Sequence, residues 1–79
     1  MKPYTLAYMR FFDYGEEDFI PCEWCGAKSV DIHHIYGRGK LTNEITNLIA
    51  LCRDCHTDAH NEKITKEQLK QKHETIIRD

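Results

Sequence analysis

Asp31-Ile32-His33-His34-Ile35, then Thr46-Asn47-Leu48-Ile49-Ala50-Leu51, then Cys52-Arg53-Asp54-Cys55-His56 and His60 are the pieces of sequence that decide this fold. They hold four of the chain's five histidines. Residues 29–35 are β-branched at Val30, Ile32 and Ile35 and read as a strand. Residues 46–51 form an apolar run of strand length. A helix is expected to begin in the second cysteine pair and to run to about Asn61, which puts His56 and His60 on one helical face. Between the strands lies a basic, glycine-punctuated loop, Tyr36-Gly37-Arg38-Gly39-Lys40.

Working outward, Tyr4, Tyr8, Phe11 and Phe12 recur at helical spacing and predict a helix over 4–12. Pro21 biases Ile20 toward extended backbone at the entry to Cys22-Glu23-Trp24-Cys25, and Gly26 follows where a tight knuckle needs positive φ. Thr65-Lys66-Glu67-Gln68 fits a capping box, with Ile64 and Leu69 placed as a hydrophobic staple, so a helix is expected over 65–77. His73, four residues past Leu69 on that helix, reads as a packing or surface residue, and Trp24 and Tyr36 read as packing aromatics.

At 79 residues the chain has room for one domain, spanning 1–79, whose core alone gives marginal stability. Composition is that of a globular protein, and no apolar run is long enough to span a membrane. Met1-Lys2-Pro3 does not open a signal peptide, so a cytoplasmic location is expected. Net charge is −2, and the excess of acid lies in residues 1–21; charge alone predicts no strong non-specific grip on DNA.

Cys22, Cys25, Cys52 and Cys55 form two C-x2-C pairs, which in a reducing compartment point to a tetrathiolate zinc site before disulfides. Structural zinc is worth about 10–16 kcal/mol in finger peptides, the kind of staple so small a core requires. Zinc leaves His33, His34, His56 and His60 unexplained. Neighbours on a strand face opposite ways, so only one of His33 and His34 can join the His56/His60 pair at a single ion. Three imidazoles leave coordination positions open, the mark of a catalytic ion, and the remaining imidazole beside it can accept a proton from water.

The order C-x2-C, Asp31-Ile32-His33-His34-Ile35, Asn47, C-x2-C-His56-x3-His60 resembles the HNH nucleases, over residues 22–60. The resemblance implies a small α+β zinc-stapled domain: a ββα-metal, treble-clef-like core with an N-terminal and a C-terminal helix. It implies His34 as general base, His33, His56 and His60 as ligands of the catalytic ion, and Asn47 as the residue bracing the loop that carries the base. The implied activity is DNA endonuclease action leaving 5′-phosphate and 3′-hydroxyl ends, with Mn²⁺, Mg²⁺, Ni²⁺ or Zn²⁺ at the catalytic site. Many members carry an aspartate just before the base, where this chain has His33; the all-imidazole set favours a transition metal over magnesium. Asp31 shares the side of the strand with His33 and is a candidate carboxylate behind a ligand histidine. Arg38, Lys40 and Arg53 are candidate phosphate contacts. By analogy with the family, a targeting or packaging partner is expected to supply specificity. The alternative is a non-catalytic zinc module that binds nucleic acid or protein.

Overall fold

The computed structural model describes residues 2–37, 39 and 43–77. Helix α1 spans Pro3–Phe12, strand β1 Asp31–His34, strand β2 Leu48–Leu51, helix α2 Arg53–His60 and helix α3 Lys66–Ile77. A 3-10 turn, Ile45–Asn47, leads into β2. This is the expected α+β architecture, a two-stranded antiparallel sheet flanked by helices.

The second strand is shorter than the sequence suggests, because Thr46 and Asn47 belong to the turn. β1 is likewise shorter than the expected 29–35. Ser29 is tied back to the Ile20 carbonyl through both its N–H and its hydroxyl, instead of extending the strand. The helices fall close to expectation. Pro3 occupies the first turn of α1, where its missing N–H costs nothing. At α3 the capping box is formed in both directions: Gln68 N–H donates to Thr65 Oγ1 at 3.1 Å, and Thr65 N–H donates to Gln68 Oε1 at 2.8 Å.

Every residue of β2 is buried, and its side chains alternate between two cores. Ile49 and Leu51 pack with Cys22, Ile35, Cys55, Ile64 and Leu69, on the side of the cysteine knuckle, α2 and α3. Leu48 and Ala50 pack with Tyr8 of α1, flanked by Phe12, Ile20 and Ile32. The sheet is therefore covered on both faces, which explains why Leu48-Ile49-Ala50-Leu51 reads as an unbroken apolar run.

The register carries this division onto β1. Asp31 pairs with Leu51 and His33 with Ile49, so both face the α2 side; Ile32 pairs with Ala50 and His34 with Leu48, so both face α1. Strand parity thus sends His33 and His34 to opposite sides of the sheet. Trp24 packs partly buried against the α2-side core, whereas Tyr36 stands exposed on the turn after β1 and does not pack as expected.

Candidate metal centres

The knuckle that presents Cys22 and Cys25 is closed by Gly26 N–H donating to the Cys22 carbonyl at 2.9 Å, and Gly26 has φ +84°. That left-handed backbone is where the sequence requires glycine. Cys52 caps α2, its Sγ accepting from Cys55 N–H at 3.5 Å, and Cys55 lies in the helix's first turn. All four Sγ atoms lie within 4.8 Å of one another, with Cys25 and Cys52 at 3.6 Å. Ligands about 2.3 Å from a tetrahedral zinc stand about 3.8 Å apart, so the four thiols fit that ion. Burial pushes the Cys22 thiol up, but the backbone N–H groups of Cys25, Cys52 and Trp24 outweigh it and bring Cys22 down to about 7. Burial pushes Cys55 up. The cage is a structural metal site with the donor set of zinc.

The second cluster forms where β1 meets α2. His33, His56 and His60 each offer a ring nitrogen within the same 4.8 Å limit. Their ring centroids are 5.0 Å (His33–His56), 5.3 Å (His33–His60) and 4.6 Å (His56–His60) apart. The Nε2 atoms of His56 and His60 are 3.1 Å apart. Two imidazoles at about 2.1 Å from one cation stand about 3.0–3.4 Å apart for right-angled to tetrahedral geometry, so the cluster fits a divalent ion. His33 is driven down to about 4, first by burial and then by the neighbouring His56 and His60 rings, so its lone pair is available at neutral pH.

Asp31 is hydrogen-bonded to His56 on the side of the ring away from His60. Its Oδ2 accepts from His56 Nδ1 at 2.9 Å, which fixes the tautomer and turns Nε2 toward the cluster. Arg53 Nε lies 3.7 Å from the same oxygen, its side chain 71% exposed. Arg38 and Lys40 lie outside the described residues.

His34 faces the other way, with the ring of Tyr4 edge-on to it at 4.5 Å and 73°. Both histidine faces open onto one cleft of about 610 Å³ along β1, whose walls also include Lys2 and Thr5 of the α1 side. Asn47, 1% exposed, holds the turn after His34. Its Oδ1 accepts from Tyr36 N–H at 2.8 Å, its Nδ2 donates to the Gly37 carbonyl at 2.8 Å, and its own carbonyl accepts from Ile35 N–H at 2.9 Å.

One constellation has no counterpart in the sequence reading. His73 is fully buried and has two polar partners: Nε2–H donates to the Ile45 carbonyl, and Nδ1 shares a hydrogen bond with Glu23 Oε1, each at 2.6 Å. Glu23 Oε2 accepts from the Tyr8 hydroxyl at 2.6 Å. The available signal was a histidine set on the Leu69/Ile76 stripe of α3, which calls for a buried acceptor.

The sequence pattern of the HNH endonuclease family matches residues 22–62, more than half of the 79. The chain belongs to the HNH endonuclease family, and its two-stranded sheet followed by α2, with the four-cysteine cage beside it, is the ββα-metal fold of that class. A mitochondrial DNA mismatch repair protein mutS homolog of Sarcophyton glaucum is 34% identical over 68 residues, an alignment covering 76% of this chain. The chain corresponds to only 7% of that protein's length. No solved structure matches.

Proposed function

We propose that this chain is a metal-dependent DNA endonuclease, acting as one domain. The observation that carries the reading is the placement of His34. It stands one residue beyond the ligand-type His33, on the opposite face of β1, yet lines the same cleft as His33, His56 and His60.

His33, His56 and His60 supply three imidazole nitrogen donors and leave the cleft side of the site open. A divalent ion held there would polarise a phosphodiester and stabilise the departing oxygen. His34 takes a proton from the attacking water, which directs attack at phosphorus and yields 5′-phosphate and 3′-hydroxyl ends. Asn47 keeps the residues following His34 from shifting, so the imidazole meets the water in one orientation. Arg53, Arg38 and Lys40 are assigned to the DNA backbone, where positive charge positions the duplex without reading sequence. The imidazole donors favour Mn²⁺, Ni²⁺ or Zn²⁺ over Mg²⁺. Sequence choice is assigned to a targeting or packaging partner, by analogy with the family.

Supercoiled plasmid incubated with the zinc-loaded protein and Mn²⁺, Ni²⁺, Zn²⁺ or Mg²⁺ tests the reading. Relaxed or linear product is expected with wild type and not with His34→Ala. Equal products from both proteins, or none in any metal, rejects it. The competing non-catalytic zinc module gives the histidine cluster no task; it predicts one bound metal per chain where the nuclease reading predicts two.

A further inference from the structure

We infer that His73 is a positioning residue for the nuclease centre, acting from α3 through the turn that carries Asn47. The inference rests on the nuclease reading for its catalytic consequence and on hydrogen-bond geometry alone for its structural one.

α3 holds the 45–47 turn at two successive carbonyls. His73 Nε2–H donates to the Ile45 carbonyl at 2.6 Å, and Lys70 Nζ donates to the Thr46 carbonyl at 3.1 Å. The next residue is Asn47, whose three hydrogen bonds hold residues 35–37 immediately after His34. His73 cannot swing away from Ile45, because its other nitrogen is bound to the buried Glu23 carboxylate. Glu23 is fixed in turn by the Tyr8 hydroxyl of α1, and Ala50 N–H of β2 lies 3.4 Å from the same oxygen. The chain Tyr8–Glu23–His73–Ile45 therefore ties α1, the zinc knuckle and α3 to one turn. Such a buried, satisfied network permits a single arrangement of its members. Residues 66–77 lie beyond the family match at 22–62, so this strap is supplied by chain outside the nuclease motif.

The test uses full-length, zinc-loaded protein as wild type, His73→Ala, His73→Gln and Lys70→Met. The first readout is amide exchange at Tyr36 and at the Asn47 side chain, with no second metal added. In His73→Ala these protons are expected to exchange about tenfold faster or more, while β1–β2 ladder amides change little, as local opening requires. Lys70→Met, whose side chain takes no part in the buried chain, is expected to give a smaller change at the same protons and thus answers if His73→Ala does not fold. His73→Gln retains a donor for Ile45 and is expected to restore most of the protection. The second readout is plasmid cleavage, where kcat is expected to fall about tenfold with KM unchanged, the pattern of a misplaced base. Exchange at Tyr36 and Asn47 that moves only in step with the ladder amides overturns the inference, as does a normal kcat in His73→Ala. Absence of cleavage by wild type rejects the nuclease reading but leaves the exchange result to decide the strap.

Discussion

The Nδ1–H of His56 donates to Asp31 Oδ2 across 2.9 Å, joining strand to helix and leaving Nε2 of the same ring 3.1 Å from Nε2 of His60. A carboxylate behind a ligand imidazole fixes its tautomer and raises its basicity, and losing one costs about 10–100-fold in metal affinity. Asp31→Ala is therefore expected to weaken binding of Ni²⁺ or Mn²⁺ to the histidine cluster by that factor. Calorimetric titration of zinc-loaded protein measures it. Unaltered affinity would show that Asp31 serves only its ion pair with Arg53.

His33 has the opposite environment: burial first, then the neighbouring His56 and His60 rings, which disfavour its charged form. Its value in the folded chain, about 4, lies below the ordinary 6.5. The unfolded state consequently binds more protons between those limits, so stability rises with pH there. The contribution is fully present above pH 6.5 and is lost as pH falls toward 4. NMR titration of zinc-loaded protein without a second ion is expected to show the His33 ring titrating well below 6.5, toward about 4. Urea melts at pH 5 and 7 are expected to differ less in His33→Gln than in wild type.

The cysteine cage adjoins the α2-side core: Cys22 and Cys55 are core members with Ile35, Ile49, Leu51 and Leu69, Cys52 is half-buried and Cys25 is exposed. Removing the metal leaves four thiols packed together and takes away a term of about 10–16 kcal/mol, as seen in zinc-finger peptides. That is as large as the whole stability of a typical domain, about 5–15 kcal/mol. A thiophilic chelator or Cys52→Ser is expected to abolish the helical circular dichroism signal. Adding Mn²⁺ alone is expected not to restore it.

Asn47 is nearly inaccessible and serves both an N–H and a carbonyl of the turn after His34. Asn47→Asp keeps the acceptor for Tyr36 but sets a carboxylate oxygen against the Gly37 carbonyl, where a donor stood. A misplacement of about 1 Å at a catalytic group can cost 10²-fold, so kcat is expected to fall by about that much, with the zinc content unchanged. Single-turnover cleavage of plasmid measures it.

Local rules made much of this legible. Thr65 and Gln68 announce the start of α3 because both partners of the capping box lie within one turn. His33, His56 and His60 could be grouped from strand parity and the i, i+4 spacing, each a short-range regularity. The start of β2 could not be read, because Thr46 and Asn47 continue an apolar-looking run while the chain needs Asn47 turned inward to hydrogen-bond Tyr36 and Gly37. The Tyr8–Glu23–His73 chain was out of reach for a different reason. Its partners lie 15 and 50 residues apart and meet only after both cores have formed, so no spacing rule connects them.

The two faces of β1 should also be separable by experiment. Tyr4 touches His34 edge-on from the α1 side, while His33 and Asp31 face α2, which carries His56 and His60. An aromatic pair of this kind is worth about 0.5–1.5 kcal/mol, enough to bias one imidazole orientation over another by about two- to thirteenfold. Tyr4→Leu is accordingly expected to lower kcat within that range while leaving Ni²⁺ affinity at the histidine cluster unchanged. Asp31→Ala is expected to do the reverse, weakening the metal site while cleavage at saturating metal recovers. Measuring both variants by calorimetry and by cleavage decides the matter. If Tyr4→Leu weakens metal binding as much as Asp31→Ala does, the sheet does not divide base from ligands, and the role given to His34 fails with it.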